Sequence, residues 1–485
     1  MAEEGRLPPA RTRAPAAAAS LRGFFTILRS TRLISVSSCL LPPSELIGLP
    51  RSINWRRSAT AAGLYVSVGF GFLGTLLAAR QLGPEHFGFF SIVLVATSFF
   101  QSLLDLTAEE ALVKYGFGYA TRQDWGRLRR LFRQAITIKV AGGALAGVVL
   151  LGLAPAANSI FAASGLTVPF LIAALLPLLQ SPEGVASAAL ILHGRYDVRA
   201  WLQAASMALR MTGLGVGAHF GVTEAVVGLI VAQAAGTIVL GATALVVFRR
   251  FPIAPQLRLG EDRRGVLRFV LQSSVATGIL SLRGALSPLL LGIVSNPTQV
   301  GFFRVAQAPQ AGFTALTSPV RLILLTEQTR DWERGATGAV FTGIKRYTIA
   351  AFLLMAVAVP PAYVFMPDLV RFFYGGRYTG AGDAARLMLL AAAVLLVSGW
   401  TKSFPVSIGR PGLRILAHGI ESAVVIPLVV VLGSAWDATG AAGAVLAGSA
   451  VFNVVWAVIV VRIRRVHPGG TEAGPVAAAR EAIQS

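Results

Sequence analysis

The feature that most constrains this chain is a succession of apolar runs, each about 20 residues or longer, from about residue 58 to about residue 461. A run of ~20 apolar residues can cross the hydrocarbon core of a bilayer as a helix. No water reaches that core to satisfy backbone N–H and C=O groups, and a helix satisfies them within one segment. Charged residues are 13% of the chain and hydrophobic residues 54%, whereas a soluble domain carries about 25% charged residues. Too little polar surface remains to coat a water-soluble fold of 485 residues. The expected fold class is an all-α polytopic membrane protein.

The runs predict about twelve transmembrane helices, at roughly 58–82, 86–106, 134–154, 166–192, 198–219 and 223–247, and then 265–294, 298–325, 344–366, 384–405, 413–433 and 439–461. A net charge of +21 on a soluble protein would suggest nucleic acid. Here the cations sit in short connections, so membrane orientation explains them and no nucleic-acid partner is expected. Basic residues gather in Lys114–Arg133, Arg249–Arg264, Arg330–Arg346 and Arg462–Arg465. The alternate connections are nearly free of them; only Asp368–Asp383 carries two, Arg371 and Arg377. Both termini are therefore expected on the cytoplasmic side.

Residues 1–57, rich in Ala, Arg, Pro and Ser, read as a disordered cytoplasmic leader or an over-extended start, with no clean signal peptide. The remaining expected units are a first six-helix bundle (58–247), a cytoplasmic linker (248–264), a second bundle (265–461) and a cytoplasmic tail (462–485). The two bundles echo one another. Pro84-Glu85-His86-Phe87-Gly88-Phe89-Phe90 recurs 213 residues later as Pro297-Thr298-Gln299-Val300-Gly301-Phe302-Phe303. Gly194-Arg195 and Arg199 recur 215 residues later as Gly409-Arg410 and Arg414. Six spans is an even number, so the repeat is parallel and its pseudo-two-fold axis runs along the membrane normal, an arrangement that encloses a cleft in transporters.

Charges inside spans are costly and mark protein interiors or aqueous cavities. The candidates are Lys139, Glu183, Arg210, Arg283, Arg304 and Glu421; Asp105, Arg268, Arg321 and Lys402 lie nearer span ends, where snorkelling suffices. Four cations against two carboxylates suit an anionic ligand, above all a phosphate, which arginine can bind bidentately. The carboxylates Glu183 and Glu421 are candidate coupling groups or ion-pair partners. The repeat shift carries Arg283 to Phe70 and Arg304 to Ser91, so these charges are not part of what the repeat preserves. Pro288, Pro309, Pro319, Pro177 and Pro182 are candidate kinks or hinges. A single cysteine, Cys39, excludes an intrachain disulfide framework and a Cys-rich metal site. Five scattered histidines form no metal-binding pair, and no phosphate-binding GxxxxGK[ST] loop is present, so neither a cofactor, a metal nor ATP hydrolysis is expected.

The stretch Ala79-Arg80-Gln81-Leu82-Gly83-Pro84-Glu85-His86-Phe87-Gly88 resembles the first hairpin of the polysaccharide (O-antigen-type) flippases of the multidrug/oligosaccharidyl-lipid/polysaccharide exporter superfamily. Asp105–Tyr115 is similar to that family's acidic end of span 2, and Phe372–Tyr378 with Ala384-Ala385-Arg386-Leu387 to its loop before span 10. The resemblance implies a bacterial inner-membrane flippase that moves undecaprenyl-pyrophosphate-linked oligosaccharide outward. Cavity cations would hold the pyrophosphate, with Arg283 as the main anchor assisted by Arg304 and Arg210. Membrane lipids, and polysaccharide polymerase and assembly proteins, are the implied partners. Related peptidoglycan-precursor flippases carry arginines in spans 1 and 7; Arg283 matches the second, and Ser58–Ala79 has no charge to match the first. The alternatives are a drug/cation antiporter of the same superfamily, which would need an acidic pocket, and a membrane glycosyltransferase or polymerase, which would need paired carboxylates or a DxD and a larger external domain.

Overall fold

The computed structural model describes residues 50–466 except 105, 261 and 411; the side chains of 50–57, 276, 277, 279–283, 314–323 and 326 lie outside it. The backbone is all-helical: α1 (Pro50–Leu104), α2 (Ala108–Thr121), α3 (Trp125–Ile160), α4 (Thr167–Ala173), α5 (Leu176–Leu192), α6 (Tyr196–Phe220), α7 (Val222–Phe248), α8 (Asp262–Val294), α9 (Pro297–Ala306), α10 (Ala308–Glu333), α11 (Thr337–Val364), α12 (Met366–Tyr374), α13 (Gly382–Val397), α14 (Phe404–Ser407) and α15 (Gly412–Val466), with 3-10 turns at Gly376–Ala381 and Gly399–Lys402. By length and composition seven helical stretches among the described residues can each cross a membrane.

Several connections expected as loops are helical or almost absent. The first hairpin is a single break inside α1, where Gly83 takes φ 74° and ψ 173°. Glycine adopts a positive φ without penalty, and Pro84, which lacks an N–H, restarts the helix at no hydrogen-bond cost. A second break, at Trp436 and Asp437, divides α15. The basic segment Lys114–Arg133 covers the end of the short helix α2, a turn and the start of α3, which begins at Trp125 because Asp124 caps it, its side chain accepting from the Arg127 N–H. The Asp368–Asp383 loop is mostly α12 and the following 3-10 turn. Pro177 and Pro309 each sit in the first turn of a new helix, whereas Pro182 and Pro288 lie inside continuous ones.

The second pair of echoed segments has matching local geometry. Gly194 and Gly409 take φ 72° and 70°. The next N–H in each case reaches back to the carbonyl five residues earlier, Arg195 to Leu190 at 2.9 Å and Arg410 to Pro405 at 2.8 Å. Both are glycine C-caps that end one helix and turn the chain into the next.

Two ends of the molecule can be distinguished. At the basic end Arg129 reaches the carbonyls of Phe251 and Pro252, and the Tyr119 hydroxyl donates to Asp262 at 2.9 Å. Burial, reinforced by that carboxylate, pushes the Tyr119 phenol up to about 12. α2 packs there on the start of α8, with Lys114 4.3 Å from the Phe269 ring centre and the Thr107 N–H donating to Ser274 Oγ at 2.9 Å. At the opposite end lie Gly83, Asn296, Asp437 and α12.

Candidate functional site

The site is built from the opposite end inward. Pro84 and Pro297 each open a helix, the latter capped by Asn296, whose side chain accepts from the Gln299 N–H. One turn on, Gly88 and Gly301 face the partner segment. A Cβ on Gly88 would stand 1.8 Å from the Pro297 oxygen, and one on Gly301 2.2 Å from the Pro84 oxygen. Each echoed segment thus presses its glycine against the other's proline, the reciprocal contact that a two-fold relation produces. Only glycine permits backbones this close.

The segment around α12 straps this crossing. Arg80 donates to the carbonyls of Phe372 and Phe373. The buried Tyr378 hydroxyl donates to the Ala79 carbonyl at 2.7 Å, and its ring meets Phe87 and Phe302 at 6.4 and 6.2 Å. The first and third of the motifs singled out in the sequence, Ala79–Gly88 and Phe372–Tyr378, therefore meet in one clamp.

Beneath the clamp lies a cavity of about 250 Å³, walled by Phe87 and Phe90 from the crossing and by Phe70, Ser91, Arg210 and Arg304. Arg210 comes from α6 and Arg304 from α9, so the cavity joins residues of both halves. Arg304 donates to Gln307 at 2.8 Å, while its buried Nε, like that of Arg210, finds no acceptor among the described residues. Among the described residues no carboxylate lines this cavity.

A second cavity, of about 610 Å³, lies toward the basic end and shares Met207 and Arg210 with the first. Among the described residues its walls come from α2, α5, α6 and α7, with Glu109, Glu110 and Glu183 against Lys114, Arg199 and Arg210. Arg210 and Glu183 are joined through the fully buried Gln233. The amide oxygen accepts from Arg210, and its nitrogen donates to Glu183 Oε1 at 2.6 Å and to Thr237 Oγ1 at 2.9 Å; Thr237 donates to the same carboxylate oxygen at 3.0 Å. Buried charges persist when every lone pair and proton is placed, and an amide, which both accepts and donates, can link two charges that do not touch.

The other expected residues lie elsewhere. Lys139 is buried and paired with Glu109 at 3.0 Å, an α3–α2 ion pair. Glu421 is fully buried in α15 and takes His418 Nδ1 at 2.9 Å, with the imidazole stacked on Phe452. Arg283 is on α8, but its side chain, like that of Arg321, lies outside the described residues, as do Asp105 and Cys39. Gln233 was not singled out in the sequence, though a lone glutamine in the apolar stretch Val222–Phe248 was visible there. Among the described residues no group of three His, Cys, Asp or Glu is placed to hold a metal ion.

Comparison with known proteins agrees with this geometry. Residues 77–381 match the family described as "Polysaccharide biosynthesis protein". The inner membrane protein YghQ of Escherichia coli (strain K12) is 26% identical over 339 residues, which is 66% of this chain and 91% of that protein. An inward-facing multidrug resistance MATE family transporter of the MOP superfamily superposes with a TM-score of 0.72 at 12% identity, covering 84% of this chain and 96% of that one. The lipid II flippase MurJ, in an inward closed conformation, gives 0.65 at 12% identity, covering 83% and 87%. At such identities the likeness is one of fold.

Proposed function

The chain belongs to the polysaccharide biosynthesis protein family, and from that premise we propose that it is a flippase. Its cargo is an undecaprenyl-pyrophosphate-linked oligosaccharide repeat unit, carried from the cytoplasmic to the outer leaflet for cell-surface polysaccharide. The observation that carries the reading is the smaller cavity, where arginines from the two halves face a space with no carboxylate among the described residues. Two guanidinium Nε donors without acceptors favour an anion with several oxygens, and a pyrophosphate fits that description.

In this reading twelve spans form two six-helix bundles, with both termini cytoplasmic, and the clamp is the outer seal of an inward-facing state. The head group enters from the basic end past Arg199 and Arg210 and stops beneath Phe87 and Phe90. Its lipid tail stays in the bilayer, so only the polar head needs the cavity. Rocking the bundles about the Gly88–Gly301 crossing opens the clamp and releases the head outward. Arg283 joins Arg304 as an anchor. Its repeat-related position, Phe70, lines the cavity in the first half, as does Ser91, the counterpart of Arg304.

The test is deletion of the gene. Lipid-linked oligosaccharide should then accumulate on the cytoplasmic leaflet and surface polysaccharide should fall. Unchanged surface glycan with altered drug sensitivity would instead support a cation antiporter, the reading favoured by the three carboxylates of the larger cavity.

A further inference from the structure

The first half carries another cavity, which shares no lining residue with the two described above. It is a groove of about 460 Å³ between α3, α5 and α7 near the basic end. Its floor is apolar and buried, with Phe132, Val185 and Ala189, and it opens beside Leu245, which is 58% exposed. On one wall a Cβ built on Gly241 would meet nothing within 4 Å, so α7 lacks a side chain where the groove runs.

Arg129 and Arg133, one helical turn apart on α3, line the groove. Arg129 is held in place. It donates to the carbonyls of Pro252 at 3.1 Å and Phe251 at 3.0 Å, and its guanidinium carbon lies 5.2 Å from the Phe248 ring centre. Arg133 is exposed and, among the described residues, forms no ion pair. Among the described residues no carboxylate lines the groove. An apolar slot ending in unneutralised arginines at the level of the basic loops matches one kind of molecule in its surroundings, a chain of hydrocarbon ending in a phosphate.

We propose that this groove binds an anionic phospholipid of the leaflet at the basic end, with an acyl chain along Val185, Gly241 and Leu245 and the phosphate on Arg133. A zwitterionic head group would also bring a phosphate, but its own ammonium offsets that charge and is repelled by the neighbouring arginines Arg129 and Arg133. A peptide would bring backbone N–H and C=O groups to an apolar wall that cannot pair with them. Basic pockets between helices at a cytoplasmic face are suited to acidic head groups.

The experiment uses the purified full-length protein in a neutral detergent, with phosphatidylglycerol, phosphatidylcholine and undecaprenyl phosphate as probes. Native mass spectrometry counts bound lipid and thermal unfolding reads its effect. Phosphatidylglycerol should be retained and should raise Tm, and phosphatidylcholine should do neither. Arg133→Ala should weaken phosphatidylglycerol binding about tenfold, the scale of one charge-assisted contact, and Arg133→Lys by less. Gly241→Leu should abolish retention while leaving the Tm of the delipidated protein unchanged, because its side chain enters open space. Equal retention of both phospholipids, retention unaffected by either substitution, or tighter binding of undecaprenyl phosphate than of phosphatidylglycerol would each overturn the proposal. Transport of oligosaccharide is not read in this experiment, so its outcome is independent of the flippase assignment.

Discussion

Replacing Gly88 or Gly301 by alanine tests the crossing of the two echoed segments quantitatively. An ordinary carbon–oxygen contact is about 3.3 Å, and the added Cβ would start 1.8 Å from the Pro297 oxygen or 2.2 Å from the Pro84 oxygen. The segments must therefore part by about 1.5 Å in Gly88→Ala and about 1.1 Å in Gly301→Ala. The obstacle is backbone in both cases and cannot swing aside. Overpacking of this kind costs about 2 kcal/mol, and only the clamped state bears it, so the population should shift roughly 30-fold toward the outward-open state. Because one separation relieves both clashes, the double variant should gain little over Gly88→Ala, a coupling of ~1 kcal/mol or more. The readout is Ser91→Cys in a Cys39→Ala background, labelled from outside intact cells with an impermeant thiol reagent; Ser91 lines the cavity directly beneath the clamp. Each single variant should accelerate labelling, Gly88→Ala the more. Unchanged labelling in both, or strictly additive effects in the double variant, would refute the reasoning.

Arg304→Ala should stop oligosaccharide export at normal membrane abundance, and Arg304→Lys should impair it partially, since the charge remains but the planar fork is lost; normal export by Arg304→Ala would remove the anchor. Gln233→Leu removes the amide that links the half-buried Arg210 and Glu183 and should lower thermal stability in detergent by about 1 to 3 kcal/mol, whereas Gln233→Leu combined with Arg210→Met and Glu183→Leu should regain stability without transport. Lys139→Ala should reduce membrane abundance through loss of the Glu109 pair, and Glu109→Ala should restore part of it; loss of transport at full abundance would instead give Lys139 a cavity role. Cysteines at Ser295 or Ala435 should react with an impermeant reagent from outside and one at Gly260 should not, and the reverse pattern would invert the orientation.

Much of the helical layout was legible because lipid demands long apolar segments. α7 and α11 lie close to their expected ranges for that reason. The connections were less legible. Hydropathy does not distinguish a loop from a break of one or two residues, so the breaks at Gly83 and at Trp436 and Asp437 look like ordinary gaps in the sequence. The 14-residue α2 is too short to register as a span, and the basic stretch Lys114–Arg133 that overlaps its end reads as a connection. Among the intramembrane charges, Arg210 and Arg304 do line a common cavity, and their burden of desolvation was visible in the sequence. The pairing of Lys139 with Glu109 was not, because it links α3 to a helix that was not foreseen. Gln233 escaped notice because neutral amides carry no insertion penalty large enough to stand out, although in the fold it is the atom bridge between the first half's two opposite charges.

That bridge has an electrical consequence. Arg210 and Glu183 sum to zero across their shared amide, so this linked pair adds no net charge to what moves through the membrane potential. Arg304 has no carboxylate partner among the described residues, so its own charge at the smaller cavity is uncompensated when that cavity is empty. Moving one full charge across the potential is worth about 2.3 kcal/mol per 100 mV. With the interior negative, the field resists the outward turn of an empty carrier and favours its return. A pyrophosphate seated on Arg304 reverses the sign of what moves, and the same field then favours the outward turn. On the proposed function the Arg304 charge alone thus favours both productive half-steps in voltage.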